Sequence, residues 1–330
     1  SELDEVIGLG SNPHGKTYSG SRVFDESVPG VYAENTSHFL DDALTVVAGL
    51  RADVRRDHGT TITPRSFARY NIDEMTTLRA SVGTAFRVVR PFAEHPAVLA
   101  SWRDVRLPET LDGERALNFG VNLTRLYDAG LFSGTFAFDL YRTEFSRQVI
   151  AEYDDDPSAI LFRNLDGSSA SDNILAEVTA DLSWLNTRFS YTYADVYEIR
   201  GGERRTLPFV AKHRVLSVLT ATSSDDAWQG TVTFEWRGAQ RLPETAAYPE
   251  EFRLPSQSDP YTLLHLHVQR HWKAFDLYIG VENLLDFRQS NPIINAANPF
   301  ERYFEPGFSW GPVKGREAYA GIRARLNVFQ

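Results

Sequence analysis

Apolar and polar residues alternate along this chain in steps of two. Phe275, Leu277, Ile279 and Val281 are interleaved with Asp276, Tyr278, Gly280 and Glu282. A polar stretch rich in Asn, Pro and Gly follows over residues 286–315. Beyond it Ala318, Ala320, Ile322, Ala324, Leu326 and Val328 alternate with Glu317, Tyr319, Gly321, Arg323, Arg325 and Asn327. A period of two puts each set on its own face of a strand. The apolar faces are uniformly small or aliphatic, which suits contact with lipid better than an interdigitated sandwich core.

The same alternation predicts eleven further strands, near residues 31–39, 43–54, 63–72, 77–87, 116–126, 132–145, 176–184, 185–193, 213–221, 228–236 and 264–268, thirteen in all. Their connections alternate in length. Short turns are expected near residues 40–42, 73–76, 127–130, 184–186, 223–227 and 272–274. Longer connections fall at 55–62, 88–114, 151–172, 197–212, 240–260 and 286–315. A sandwich has no reason to keep every second loop short, whereas an outer-membrane barrel has short turns on one side and long loops on the other. Phe132, Trp184, Trp228, Trp272 and Phe275 all fall on the apolar register beside short turns. That is where an interfacial aromatic girdle belongs. Residues 1–29 show no sustained period and read as a loop.

Composition narrows the function classes. The chain has 330 residues and a formal charge of −10, which argues against nucleic acid as a partner. It has no cysteine, hence no disulfide framework and no thiolate metal site. No apolar run is long enough for a membrane helix, a test that barrel strands escape because alternation dilutes the average. The first residues lack the basic and apolar regions of a signal peptide, so an exported chain is expected to begin upstream.

Little of the candidate chemistry survives scrutiny. His265, His267 and His271 share the polar register, and two His at i, i+2 can chelate a metal. With no carboxylate beside them in sequence, they are assigned to a polar wall and to no metal. The run EYDDDP, residues 152–157, reads as a solvated loop tip. GLGSNP, residues 8–13, lacks the third glycine and the preceding strand of a dinucleotide fingerprint. Neither Gly-x-Ser-x-Gly nor His-Glu-x-x-His occurs, and no cofactor is called for. Charges on the polar register are numerous, among them Arg51, Arg79, Glu177, Asp181, Glu235, Arg237, Glu282, Arg323 and Arg325. The connections 88–114 and 286–315 hold Arg and aromatic residues, the usual anchors of binding surfaces. Arg90, Trp102, Arg103, Arg106, Tyr303, Phe304 and Trp310 are therefore the candidate ligand-binding residues, with Phe92, Phe300 and Phe308 in the same loops.

GVENLLDFRQSNPI (280–293) followed by WGPVKGREAYAGIRARLNVF (310–329) resembles the C-terminal end of TonB-dependent outer-membrane receptors. Those end in an N-L-L/F-D strand, a loop, then G-R-x-Y-x-G-x-R and a terminal aromatic. One departure is that Phe329 lies on the polar register and Gln330 follows it. The segments VYAENTSHFLDDALTVVAGLRADVRRD and TPRSFARYNIDEMTTLRASVGTAFR resemble the middle of the same barrels. The resemblance covers nearly everything from residue 31 onward.

It implies an all-β, antiparallel transmembrane β-barrel of about 22 strands, of which these would be the C-terminal thirteen. The N-terminal plug of such a receptor would be expected to precede these residues. Residues 1–29 would form an extracellular loop, and residues 30–330 would be barrel. The implied function is active uptake of a scarce nutrient, such as a ferric siderophore or cobalamin, across the outer membrane of a Gram-negative-type bacterium. No covalent chemistry is implied. The implied partners are the protein's own plug and remaining strands, TonB through the N-terminal region, outer-membrane lipid and lipopolysaccharide, and a small-molecule substrate. Two other readings are a passive channel of 12–14 strands, which favours an even strand count, and an outer-membrane enzyme or adhesin.

Overall fold

The computed structural model describes residues 2–8, 19–25, 27–108 and 110–324. Two N-terminal strands, β1 (Glu2–Gly8) and β2 (Ser19–Asp25), pair as an antiparallel hairpin. The large sheet opens with β3 (Gly30–Phe39), β4 (Leu44–Arg55), β5 (Gly59–Asn71) and β6 (Thr76–Arg87). A long connection then carries the short helix α1 (Pro91–Glu94) and β7 (Asp104–Arg106). The sheet resumes with β8 (Glu114–Asp128) and β9 (Ser133–Ser146). Two short strands, β10 (Val149–Glu152) and β11 (Ala159–Asn164), precede β12 (Ser168–Asp181) and β13 (Leu185–Arg200). After β14 (Glu203–Thr206) come β15 (His213–Thr222), β16 (Trp228–Arg237), β17 (Tyr261–His271), β18 (Phe275–Glu282) and β19 (Glu317–Ala324).

Thirteen of these strands form one continuous sheet in sequence order, from β3 to β19, with β14 added to the long end of β13. Every ladder in it is antiparallel. No ladder joins described residues of β3 to those of β19, so the sheet has two edges.

The register keeps the alternating faces apart across the sheet, because a slip of one residue would invert every side chain. Val82 lies opposite Phe119, Val121 opposite Leu140, Phe136 opposite Val178, Val232 opposite Leu266, and Val281 opposite Ala318. Val82, Val121, Phe136, Val178 and Ile322 are exposed, while Leu44, Val232 and Val281 are half-exposed. None of the eight enters a core between sheets. The turn-side aromatics Phe132, Trp184, Trp228 and Phe275 are also exposed, and Trp272 stacks on Phe275 at 4.9 Å.

The opposite face is polar and cross-linked. Arg51 pairs with Asp53, and Arg65 with Glu34 at 2.6 Å. Arg79 donates to Asn122 and Thr124, and Asn122 donates to Asp139. Glycines on this face seat tyrosines from the neighbouring strand. Gly280 lies opposite Tyr319, and Gly321 opposite Tyr278. A Cβ at Gly280 would collide with the Tyr319 ring. Overpacking of this kind costs about 1–3 kcal/mol. Gly280→Val is therefore expected to lower the temperature at which the folded barrel loses its heat-modifiable gel migration. Adding Tyr319→Ala should restore part of the loss. No change in the single variant would disprove the packing role of the pair.

Four expectations need correction. The connection expected at 55–62 is a three-residue turn, residues 56–58. β5 begins at Gly59, where φ is +67° and glycine is at ease, and Val54 and Arg55 pair with Thr60 and Gly59. Short and long connections therefore do not alternate throughout. The connections 88–114 and 151–172 are not plain loops, since β7 and β11 pair in parallel and β10 joins them to make a three-stranded sheet. Within the stretch 1–29, read as a loop, residues 2–8 and 19–25 pair as the strands β1 and β2. EYDDDP is not a solvated tip, because its carboxylates face arginines from elsewhere in the chain, as described below. The end of the last expected strand, Arg325 to Gln330, lies outside the described residues.

Candidate functional site: a cap of packed loops

The connections at the long end of the sheet fold onto one another. One apolar cluster consists of Phe92, Val98, Ile160 and Phe162, and a second of Tyr248, Ile294 and Phe308. Arg103 lies at the second cluster, 0% exposed. Its Nε donates to the Tyr248 hydroxyl at 2.8 Å, and its Nη1 donates to the Tyr153 carbonyl at 2.8 Å. Its Nε is also 3.5 Å from the Glu305 carboxylate. The guanidinium rests over Phe308 at 5.0 Å and Tyr248 at 5.5 Å. One side chain thus joins four connections: 88–113, 153–158, 238–260 and 283–316. Glu305, 1% exposed, also accepts from Ser101 Oγ at 2.6 Å and from the Gly307 amide. Burial, reinforced by the negative charge of Glu305, pushes the Tyr153 hydroxyl up to about 12, so it stays protonated.

The acidic run fastens the same connections. Glu152 and Asp155 meet Arg200 and Arg163, Asp154 meets Arg241, and Asp156 meets Arg106 at 3.0 Å. Hydrogen bonds from Ser158, then the charge of Arg106, hold the Asp156 carboxyl below its ordinary range. Because Arg200 lies on the polar register of β13, these pairs bind the cap to the polar side of the sheet. Trp310 does the same at the other end, where Tyr261 stacks on Phe287 at 5.0 Å and meets Trp310 in a tilted contact at 6.0 Å.

An aromatic platform lies over the Arg103 node. Trp102 packs against Tyr303 at 5.0 Å, and Tyr303 against Tyr248 at 5.0 Å and Phe252 at 5.6 Å. The exposed Arg302 sets its guanidinium over Trp102 at 5.3 Å and over Tyr303 at 5.0 Å. A cation on an aromatic floor suits a planar or anionic ligand.

Of the seven candidate residues, Trp102, Arg103, Tyr303 and Phe304 converge here, Phe304 through its carbonyl, which accepts from the Trp102 amide at 2.9 Å. Trp310 sits at the Tyr261 stack, Arg106 at Asp156, and Arg90 at the start of α1. Arg103 has no surface to offer a ligand, so it positions the platform. Sequence reading missed Arg302, Tyr248 and Phe252. Arg302 adjoins Tyr303 and could have been included as its neighbour, but nothing in the sequence points to Tyr248 or Phe252. The three histidines are engaged separately. His265 is 3.9 Å from Glu235, His267 is 2.9 Å from the Tyr319 hydroxyl, and His271 is 2.9 Å from Asp276. Among the described residues no three His, Asp or Glu side chains are grouped to hold a metal.

Residues 5–284 match the family described as TonB dependent receptor-like, beta-barrel. The chain belongs to that family. No curated protein matches the sequence. Among solved structures it resembles the ferric enterobactin receptor PfeA of Pseudomonas aeruginosa, at 16% identity and a TM-score of 0.64, over 98% of this chain and 53% of that one. It also resembles the siderophore receptor PirA of the same organism, at 15% identity and a TM-score of 0.60, over 92% and 49% of the two chains. A third similar structure is the iron transporter FrpB of Neisseria meningitidis, at 12% identity and a TM-score of 0.60, over 91% and 46%. At these identities the likeness is one of fold. The chain spans about half the length of these receptors. The thirteen-strand sheet of this TonB-dependent receptor barrel is thus a large arc of such a barrel, with the cap over its polar face.

Proposed function

We propose that this protein takes up a scarce nutrient across the outer membrane of a Gram-negative-type bacterium, with energy from TonB. Its ligand is a ferric siderophore, a cobalamin or a similar small molecule, first captured on the loop cap. The observation that carries this reading is the pre-packed platform of Trp102, Tyr303 and Arg302 above a polar, charged wall. Family membership supports it, as do the names of the similar structures. In this reading the short turns face the periplasm, the apolar register meets membrane lipid and lipopolysaccharide, and the polar register surrounds a plug. Arg106, at Asp156, Trp310, at Tyr261, and Arg90, in the same connection as Trp102, are further candidate ligand contacts in this reading.

The test is binding of a panel of ferric siderophores and cobalamin to cells producing the full-length protein. For the ligand that binds, Arg302→Ala and Trp102→Ala should each weaken capture by about tenfold, the range expected for an interface anchor. The barrel should remain heat-modifiable in both. Unchanged capture in both variants would remove the platform from the binding site. No binding and no growth benefit across the panel would refute the uptake reading.

A further inference from the structure

We propose that Arg270, with Trp228 and Trp272, forms a binding site for the phosphate of a membrane glycerophospholipid. The inference rests on the reading above, that the apolar register faces lipid and the short turns face the periplasm.

Arg270 interrupts an apolar row. On the lipid-facing register it lies opposite Trp228 on one neighbouring strand and Leu277 on the other, and Leu277 lies opposite Ile322. Its guanidinium carbon is 4.9 Å from the Trp228 ring centroid and 4.7 Å from that of Trp272. Indole faces hold the cation but accept none of its in-plane N–H bonds. Nε is buried with no hydrogen-bond partner, and among the described residues the guanidinium makes no ion pair.

Arg125 provides the contrast. It too lies on the lipid-facing register near a short turn, but it donates to Thr76 Oγ1 at 2.7 Å and lies 3.6 Å from Asp73. The carboxylate that feels Arg270 is Asp225, which is beyond ion-pair reach and already accepts from the Ser223 hydroxyl and the Ala227 amide. Exposed Lys273, in the adjoining turn, adds a second cation.

Depth identifies the missing acceptor. Trp228, Trp272, Phe275 and Trp184 mark the headgroup level of the periplasmic leaflet, where phosphodiesters are the abundant acceptors. The planar fork of arginine fits a phosphate through two parallel N–H···O bonds. An arginine that merely snorkelled towards water would select no lipid.

The experiment uses the full-length protein in nanodiscs of phosphatidylethanolamine and phosphatidylglycerol, with native mass spectrometry counting retained lipids. Wild type should keep one more phospholipid than Arg270→Met, with an apparent affinity roughly tenfold higher. Arg270→Lys should keep part of that retention. Trp272→Leu, which preserves the charge, should lose part of it. Added inorganic phosphate should not compete, and a phosphate-free diacylglycerol should not be retained. Equal retention by wild type and Arg270→Met, both heat-modifiable, would overturn the site. Competition by inorganic phosphate would overturn the lipid as its occupant. Absence of the protein from the outer-membrane fraction would instead refute the functional reading, before any lipid is counted.

Discussion

Arg103→Ala is expected to open the loop cap while leaving the strands assembled. The substitution removes the cation facing Glu305, two hydrogen bonds that tie separate connections, and the filler among Phe308, Tyr248 and Tyr153. Losing one partner of a buried ion pair costs about 3–5 kcal/mol. The cavity adds to that cost, because the aromatic side chains around it cannot fully collapse. The strands do not depend on this node, since their ladders are complete without it. Trypsin added to intact cells should therefore cut within residues 88–113 and 283–316 of the variant, while wild type resists. Ligand capture should fall with the cap, whereas heat-modifiable migration should persist. If the variant resists trypsin as wild type does, the cap is held by its apolar clusters and not by Arg103. Arg103→Met, which restores volume without charge, should recover part of the resistance and so separate packing from charge.

Residues 1–330 expressed alone are expected not to yield a stable barrel. β3 and β19 each leave one side of their backbone unpaired among the described residues. In hydrocarbon each unsatisfied N–H or C=O costs several kcal/mol, so an open edge across a bilayer is untenable. Closing the sheet on itself offers no easy escape. With thirteen antiparallel strands the first and last run in the same direction, and bacterial single-chain barrels keep even counts. Aggregation or degradation is the expected outcome, read as the absence of a heat-modifiable band and of conductance in planar bilayers. A stable, SDS-resistant, conducting barrel from this segment would refute the expectation and favour the passive channel.

The strands were legible because their signal is local. Alternation in β6, β8 and β18 requires only that one face meets lipid and the other a polar interior, and each residue reports its own face. The strand count and the girdle of Trp184, Trp228 and Trp272 follow from that rule. β5 is harder to place, because its first residues, Gly59, Thr60 and Thr61, carry no apolar alternation before Ile62, and its turn at residues 56–58 therefore reads as part of a longer connection.

The sequence by itself determined the thirteen strands, their faces and the end of the sheet that carries the long connections, because a period of two is enforced residue by residue. It also placed Trp102, Arg103, Tyr303 and Phe304 among the candidates, by residue type alone. Only the tertiary structure decided that Arg103 is interior and Arg302 exposed, that β7 pairs in parallel with β11, and that EYDDDP fastens the cap. Those facts rest on contacts between residues far apart in the chain, Ser101 with Glu305 or Arg103 with Tyr248. Such partners are chosen by the packing of several connections at once, and no periodicity within any one of them records that choice.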